Sequence, residues 1–98
     1  MSNTISIERT VFQTMEKDGS ISGETYGIRI FDDNAVTYNN NVPTRDALKE
    51  MSADELIQLA RETDDIATDM LWSARENGQP VYVDGEAVEL EPSSTNSL

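Results

Sequence analysis

The chain has no cysteine and no histidine among its 98 residues. Disulfides, thiolate or imidazole metal ligands, a cysteine nucleophile and a histidine general base are all excluded by this absence. Many enzyme mechanisms are excluded with them. We therefore expect a protein that is not an enzyme and that binds no cofactor.

Aromatic residues are also scarce, at 6% of the chain, and hydrophobic residues reach only 37%. This supply suffices for one modest core, so residues 1–91 are predicted to form a single α+β domain. Residues 92–98 are polar and nearly uncharged, and we expect a flexible tail there. The apolar runs are too short for a signal peptide or a membrane span, so neither is expected.

Basic residues are few as well. Seven Lys and Arg oppose nineteen Asp and Glu, which gives a net charge of −12 and a pI near 4.1. Nucleic acid and anionic membranes would be repelled, so we expect neither as a direct partner. The acidity is also one-sided. Residues 1–49 contain seven acidic and five basic residues, whereas residues 50–98 contain twelve and two.

Apolar residues alternate with polar ones in the first third of the chain. Ile5, Ile7 and Val11 follow this spacing, and Ile28 and Ile30 resume it. Two segments rich in Asp, Gly and Asn, at 17–20 and 32–34, have the composition of turns. A three-stranded antiparallel β-meander is predicted over residues 4–38.

The second half begins with helical signals. Ser52 and Glu55 have the spacing of a capping box, and apolar residues recur at intervals of three and four as far as Ala74. The pair Asn77-Gly78 is a typical C-terminal stop. These signals predict one long amphipathic helix over 53–77.

The segment 80–90 then predicts a C-terminal β-hairpin. The pair Asp84-Gly85 at its centre readily occupies the two positive-φ positions of a tight turn. Val81, Val83, Val88 and Leu90 are expected on the buried face of this hairpin.

On a helical wheel the predicted helix has a carboxylate face opposite its apolar stripe. Its members are Asp54, Glu55, Glu62, Asp65, Asp69 and Glu76. Like charges at these spacings repel one another, so a helix selected for stability alone would interleave lysines. A rigid row of carboxylates has a charge density similar to that of a DNA strand, and a groove lined with Lys and Arg accepts either. Solubility is the simpler explanation of the same face.

Two additions complete the predicted partner-binding surface. Trp72 falls on the charged side of the wheel, where it is either an interface anchor or a core residue covered by another element. Glu86, Glu89 and Glu91 add negative charge from the last hairpin. A metal site built from Asp64, Asp65 and Asp69 is not expected, because these side chains diverge around a helix.

The segment Ile30-Phe31-Asp32-Asp33-Asn34-Ala35-Val36, together with the acidic helix over 52–77, resembles the acidic type I-F anti-CRISPR proteins of bacteriophages. The resemblance implies binding to the basic DNA-recognition surface of a CRISPR surveillance complex, which blocks target DNA. A restriction enzyme, a DNA glycosylase or a toxin nuclease would be an equally suitable target.

The sequence therefore predicts a DNA-mimicking inhibitor that acts in the bacterial cytoplasm on a basic nucleic-acid-binding host protein or complex. The alternative is a structural or assembly protein that forms a homodimer or larger oligomer through its long helix. The evidence for that alternative is the near-heptad spacing of Leu56, Thr63, Met70 and their neighbours. A Mg²⁺-dependent hydrolase is a third, weaker hypothesis.

Overall fold

The first three strands form the predicted antiparallel meander. In the computed structural model, which describes residues 4–90, β1 spans Ile5–Met15, β2 spans Ile21–Phe31 and β3 spans Val36–Val42. The turn between β2 and β3 depends on Asp32, whose carboxylate oxygen accepts the backbone N–H groups of Asn34 and Ala35, both at 2.8 Å. An Asx turn of this kind is what the Asp-Asp-Asn composition favours.

The helical region contains three short helices, and the long helix predicted over 53–77 is divided between the last two of them, so that prediction is wrong. Their bounds are Arg45–Glu50 for α1, Ala53–Arg61 for α2 and Asp65–Glu76 for α3. The predicted capping box is present at the start of α2, where Ser52 and Glu55 each bond the other's backbone N–H. The predicted long helix is interrupted further along the chain, between the end of α2 and the start of α3.

Asp64 is the main cause of the break. Its backbone is extended, with φ of −167°, and one carboxylate oxygen caps α3 by accepting the N–H of Ala67 at 3.0 Å. The other carboxylate oxygen accepts the hydroxyl of Thr37. Thr63 lies beside it and accepts a hydrogen bond from the amide of Asn39 at 3.0 Å. Because Thr37 and Asn39 are buried polar residues of β3, the break supplies partners that they would otherwise lack.

The predicted C-terminal hairpin is shorter than expected and belongs to the main sheet. β4 spans Val81–Val83 and β5 spans Glu86–Val88, joined by Asp84 and Gly85 with positive φ angles. β4 pairs in parallel with β1, which gives a five-stranded mixed sheet with the order β3-β2-β1-β4-β5.

Arg9 connects this hairpin to the rest of the fold. Its guanidinium forms an ion pair with Asp84 and also donates to the carbonyl of Leu48, near the end of α1, at 2.9 Å. The backbone N–H of Asp84 donates to the carbonyl of Ile7 at 2.8 Å. The β4–β5 turn is thus bonded directly to β1 and is linked to α1 through Arg9.

The core lies between the helices and one face of the sheet. The sheet contributes Ile5, Ile7, Ile28, Ile30, Val42, Val81 and Val83, and the helices contribute Leu48, Leu56, Ile57, Ala60, Ala67, Met70, Leu71 and Ala74. Of the two isoleucines in the helices, Ile57 is buried and Ile66 is 48% exposed. Within residues 4–90, no helix is both long and apolar enough to cross a bilayer.

Substitution of Gly27 in β2 tests how closely β2 packs against β3. A Cβ at Gly27 would overlap the backbone carbonyl of Asn39 in β3, whereas a Cβ at Gly23 in the same strand meets nothing within 4 Å. Gly27→Ala should lower the free energy of unfolding by at least about 2 kcal/mol, because the backbone cannot move aside. Gly23→Ala should change it by less than about 0.5 kcal/mol. Urea denaturation compares the two, and equal stability of both variants would contradict the pairing of β2 with β3.

Candidate partner-binding surface

The nine described residues predicted to bind a partner are all exposed: Asp54, Glu55, Glu62, Asp65, Asp69, Trp72, Glu76, Glu86 and Glu89. They do not form the single row that an unbroken helix would give. Glu91, which was predicted to join them, lies outside the described residues, as does the predicted tail at 92–98.

One group of these residues shares a side of α3. At about 100° per residue, Asp65, Glu76 and Asp69 lie roughly 20°, 40° and 60° from Trp72 around the helix axis, all in the same direction. We call Asp65, Asp69 and Glu76 the α3 acidic face. Among residues 4–90, the ion pairs join Arg9 to Asp84, Arg29 to Glu8 and Arg45 to Glu24, so none neutralises this face.

Trp72 borders the α3 acidic face and is 57% exposed. The interpretation of Trp72 as a core residue covered by the hairpin is therefore wrong. On its other side the indole lines a shallow cleft of about 140 Å³ together with Arg61 and Arg75. Trp72 thus stands between carboxylates on one side and two arginines on the other.

The remaining predicted residues are distributed over α2 and the hairpin. Asp54 and Glu89 line a common cleft of about 240 Å³, which also includes Arg61. Glu55 is engaged in the capping box, and Glu62 accepts the side-chain amide of Gln58 at 2.9 Å. These carboxylates are more closely associated with neighbouring polar groups than those of α3 are.

Asp64 has a structural role rather than a place in this surface. The hydroxyl of Thr37 and the backbone N–H of Ala67 both donate to its carboxylate, and they hold its pKa below the ordinary value. The same bonds direct it toward β3. In the described part of the chain, no three carboxylates gather in a way that could hold a metal ion.

A second exposed surface was missed by the sequence analysis. The face of the sheet opposite the helices carries aromatic residues, among them Phe12 and Tyr38, whose rings meet edge to face at 5.7 Å. The guanidinium of Arg29 lies 4.3 Å from the ring centre of Phe31 on the same face. The sequence did contain a signal for this surface. The residues that alternate with the buried isoleucines of β1 and β2 face the opposite side of the sheet.

Comparisons of the chain with known protein families, with curated proteins and with solved structures find no match.

The break between α2 and α3 is tested at Asp64. Asp64→Ala removes a helix cap and leaves the buried hydroxyl of Thr37 without its acceptor, so it should cost about 2 kcal/mol of stability. Asp65→Ala, which removes an equal charge from the next residue, should cost at most about 0.5 kcal/mol.

The cost of Asp64→Ala should also depend on pH. Since the folded-state pKa of Asp64 lies below its unfolded value, its stabilising effect is complete above the unfolded pKa. It is lost as the pH falls through the folded pKa. Urea denaturation should show a constant difference from wild type between about pH 7 and 5 and a smaller one below about pH 4. A difference that grows on acidification would contradict the assignment.

Trp72 provides a test of exposure. Trp72→Ala should lower the free energy of unfolding by less than about 1 kcal/mol, because most of the indole is already in water. The adjacent Leu71 is 2% exposed, and Leu71→Ala should cost about 2 to 5 kcal/mol. Thermal or urea denaturation measures both. A Trp72 variant as unstable as the Leu71 variant would show that the indole is packed after all.

Proposed function

We propose that this protein is a non-enzymatic acidic inhibitor that occupies the basic nucleic-acid-binding site of another protein. The proposed targets are a host defence complex, such as a CRISPR surveillance complex, or a nuclease. The proposed place of action is the cytoplasm of a bacterial cell infected by a phage.

The observation that supports the proposal is the uncompensated charge of the α3 acidic face. Asp65, Asp69 and Glu76 are exposed on one side of a packed helix, while the described ion pairs use acidic residues of the strands and the β4–β5 turn. Because α3 is fixed to the sheet by buried Met70 and Leu71, these charges are displayed in a constant arrangement. Such preorganisation reduces the entropy lost on binding.

The length of the face indicates how much nucleic acid it can replace. From Asp65 to Glu76 the helix rises about 16 Å, which corresponds to roughly five phosphates of one DNA strand at 3.4 Å of axis each. A helix unbroken from Ala53 would have spanned about twice that length. The mimicry we propose is therefore local, covering part of a basic groove rather than its whole length.

The driving force would be the one that binds DNA to the same groove. Counterions condensed around the Lys and Arg side chains of the target are released when carboxylates replace them. Trp72, at the border of the face, is the proposed anchor, since exposed Trp residues frequently dominate interface energies.

The alternative of oligomerisation through a long helix loses its structural basis. The near-heptad seam is interrupted between α2 and α3, and Leu56, Met70 and Ala74 are buried against the sheet. No described residue pattern favours this second function.

Competition with DNA tests the proposal. The protein is immobilised, a captured bacterial partner is purified, and its complex with a short duplex is titrated with the free protein. We expect the duplex to be displaced, and the affinity for the partner to fall roughly 10- to 100-fold between about 50 and 200 mM salt. The triple variant Asp65→Asn, Asp69→Asn, Glu76→Gln should lose most of this affinity.

A matched variant controls for net charge. Glu16→Gln, Asp46→Asn and Glu50→Gln remove the same number of exposed carboxylates from the β1–β2 turn and from α1, and displacement of DNA should persist. A partner that binds the duplex and this protein together, or an affinity insensitive to salt, would contradict the proposed function.

A further inference from the structure

A cavity of about 410 Å³ opens beside the α3 acidic face, between α3, the start of β1 and the β2–β3 turn. The most buried residues that line it are apolar: Ile5, Met70 and Ala74 are 3%, 7% and 1% exposed. Ile66 also lines it while remaining 48% exposed. Ile66 therefore adds accessible apolar surface to the lining of this cavity.

Among residues 4–90, the charged side chains that line this cavity are acidic. Asp69 comes from the α3 acidic face and Asp32 from the β2–β3 turn, and no Lys or Arg of the described chain lines the cavity. One oxygen of Asp32 accepts the turn's backbone N–H groups. Within residues 4–90 its other oxygen, Oδ2, and both oxygens of Asp69 make no hydrogen bond. Ser73, Asn77 and Gln79 add polar groups to the lining.

This combination has a specific complement. Apolar walls together with two carboxylates from separate elements suit a ligand that has an aliphatic stem and a cationic end. Arginine fits better than lysine, because its planar guanidinium offers five donors and can bond acceptors on two sides at once. A Lys ammonium is more strongly hydrated and would lose more on entering an apolar cavity.

We propose that the Asp32–Asp69 cavity is the socket for a single arginine side chain of the basic partner. The aliphatic stem packs on Ile66 and Met70, and the guanidinium lies between the two carboxylates. This inference rests on the proposed function in one respect, the basic character of the partner. It adds a specific anchor to an interface that would otherwise depend on charge alone.

The socket can be tested without any partner. n-Butylguanidinium is titrated into ¹⁵N-labelled protein, with n-butylammonium and n-butanol as matched probes, and backbone amide shifts are followed. We expect saturable shifts at Ser73, Ala74 and Asn77, strongest for butylguanidinium and weakest for butanol. Asp32→Asn and Asp69→Asn should each raise the dissociation constant at least roughly threefold, and the double variant should abolish saturation.

Matched variants separate the socket from general acidity. Asp33→Asn and Asp46→Asn remove equal charges from the neighbouring turn position and from α1, outside the cavity lining, and should leave the probe affinity unchanged. Asp32→Asn retains the oxygen that caps the turn, and the amide spectrum verifies that each variant is folded.

Three results would overturn the socket. These are shifts spread evenly over all acidic surfaces, equal binding of butanol, and butylammonium binding as tightly as butylguanidinium. Because the probes need no target protein, any of these results leaves the competition with DNA intact as a separate test. Conversely, saturable probe binding in a protein that fails to displace DNA would retain the socket and remove the proposed function.

Discussion

The hydrogen bonds of Asp64 are the constraint on which the arrangement of the helical surface depends. One carboxylate oxygen caps α3 and the other accepts the hydroxyl of Thr37, a buried residue of β3. The helix axis of α2 therefore ends at this point, and α3 begins along a new axis. On the new axis, α3 carries Ile66 at the surface and Asp69 at a cavity that Asp32 also lines.

The charge of the molecule is also distributed differently between the sheet and the helices. The basic residues of the sheet form ion pairs across strands or with the β4–β5 turn, as Arg29 does with Glu8 and Arg9 with Asp84. α3 has no such compensation among the described residues. The molecule thus presents an aromatic, nearly balanced sheet face on one side and a carboxylate-rich helix layer on the other. A basic partner approaching by diffusion would be steered to the helical side.

The sequence predicted what local chemistry determines. The meander followed from β-branched alternation, the capping box from Ser52 and Glu55, and the last hairpin from Asp84-Gly85. The helix break and the parallel pairing of β4 with β1 were missed, because both depend on contacts between distant segments. Asp64 did offer a local signal of the helix break, since Asp is a strong N-cap residue. The apolar periodicity on both sides of Asp64 nevertheless favoured an unbroken helix. The sequence also left open whether Trp72 is exposed, because its exposure depends on how distant segments pack around it.

The proposed contact between the α3 acidic face and the DNA-binding site of a basic partner is tested most directly by backbone amide shifts of this protein, measured as the purified partner is added. We expect the largest changes within Asp65–Glu76 and at the indole N–H of Trp72, and we expect DNA to reverse them. Changes confined to the sheet face around Phe12 and Tyr38, with α3 unaffected, would contradict it.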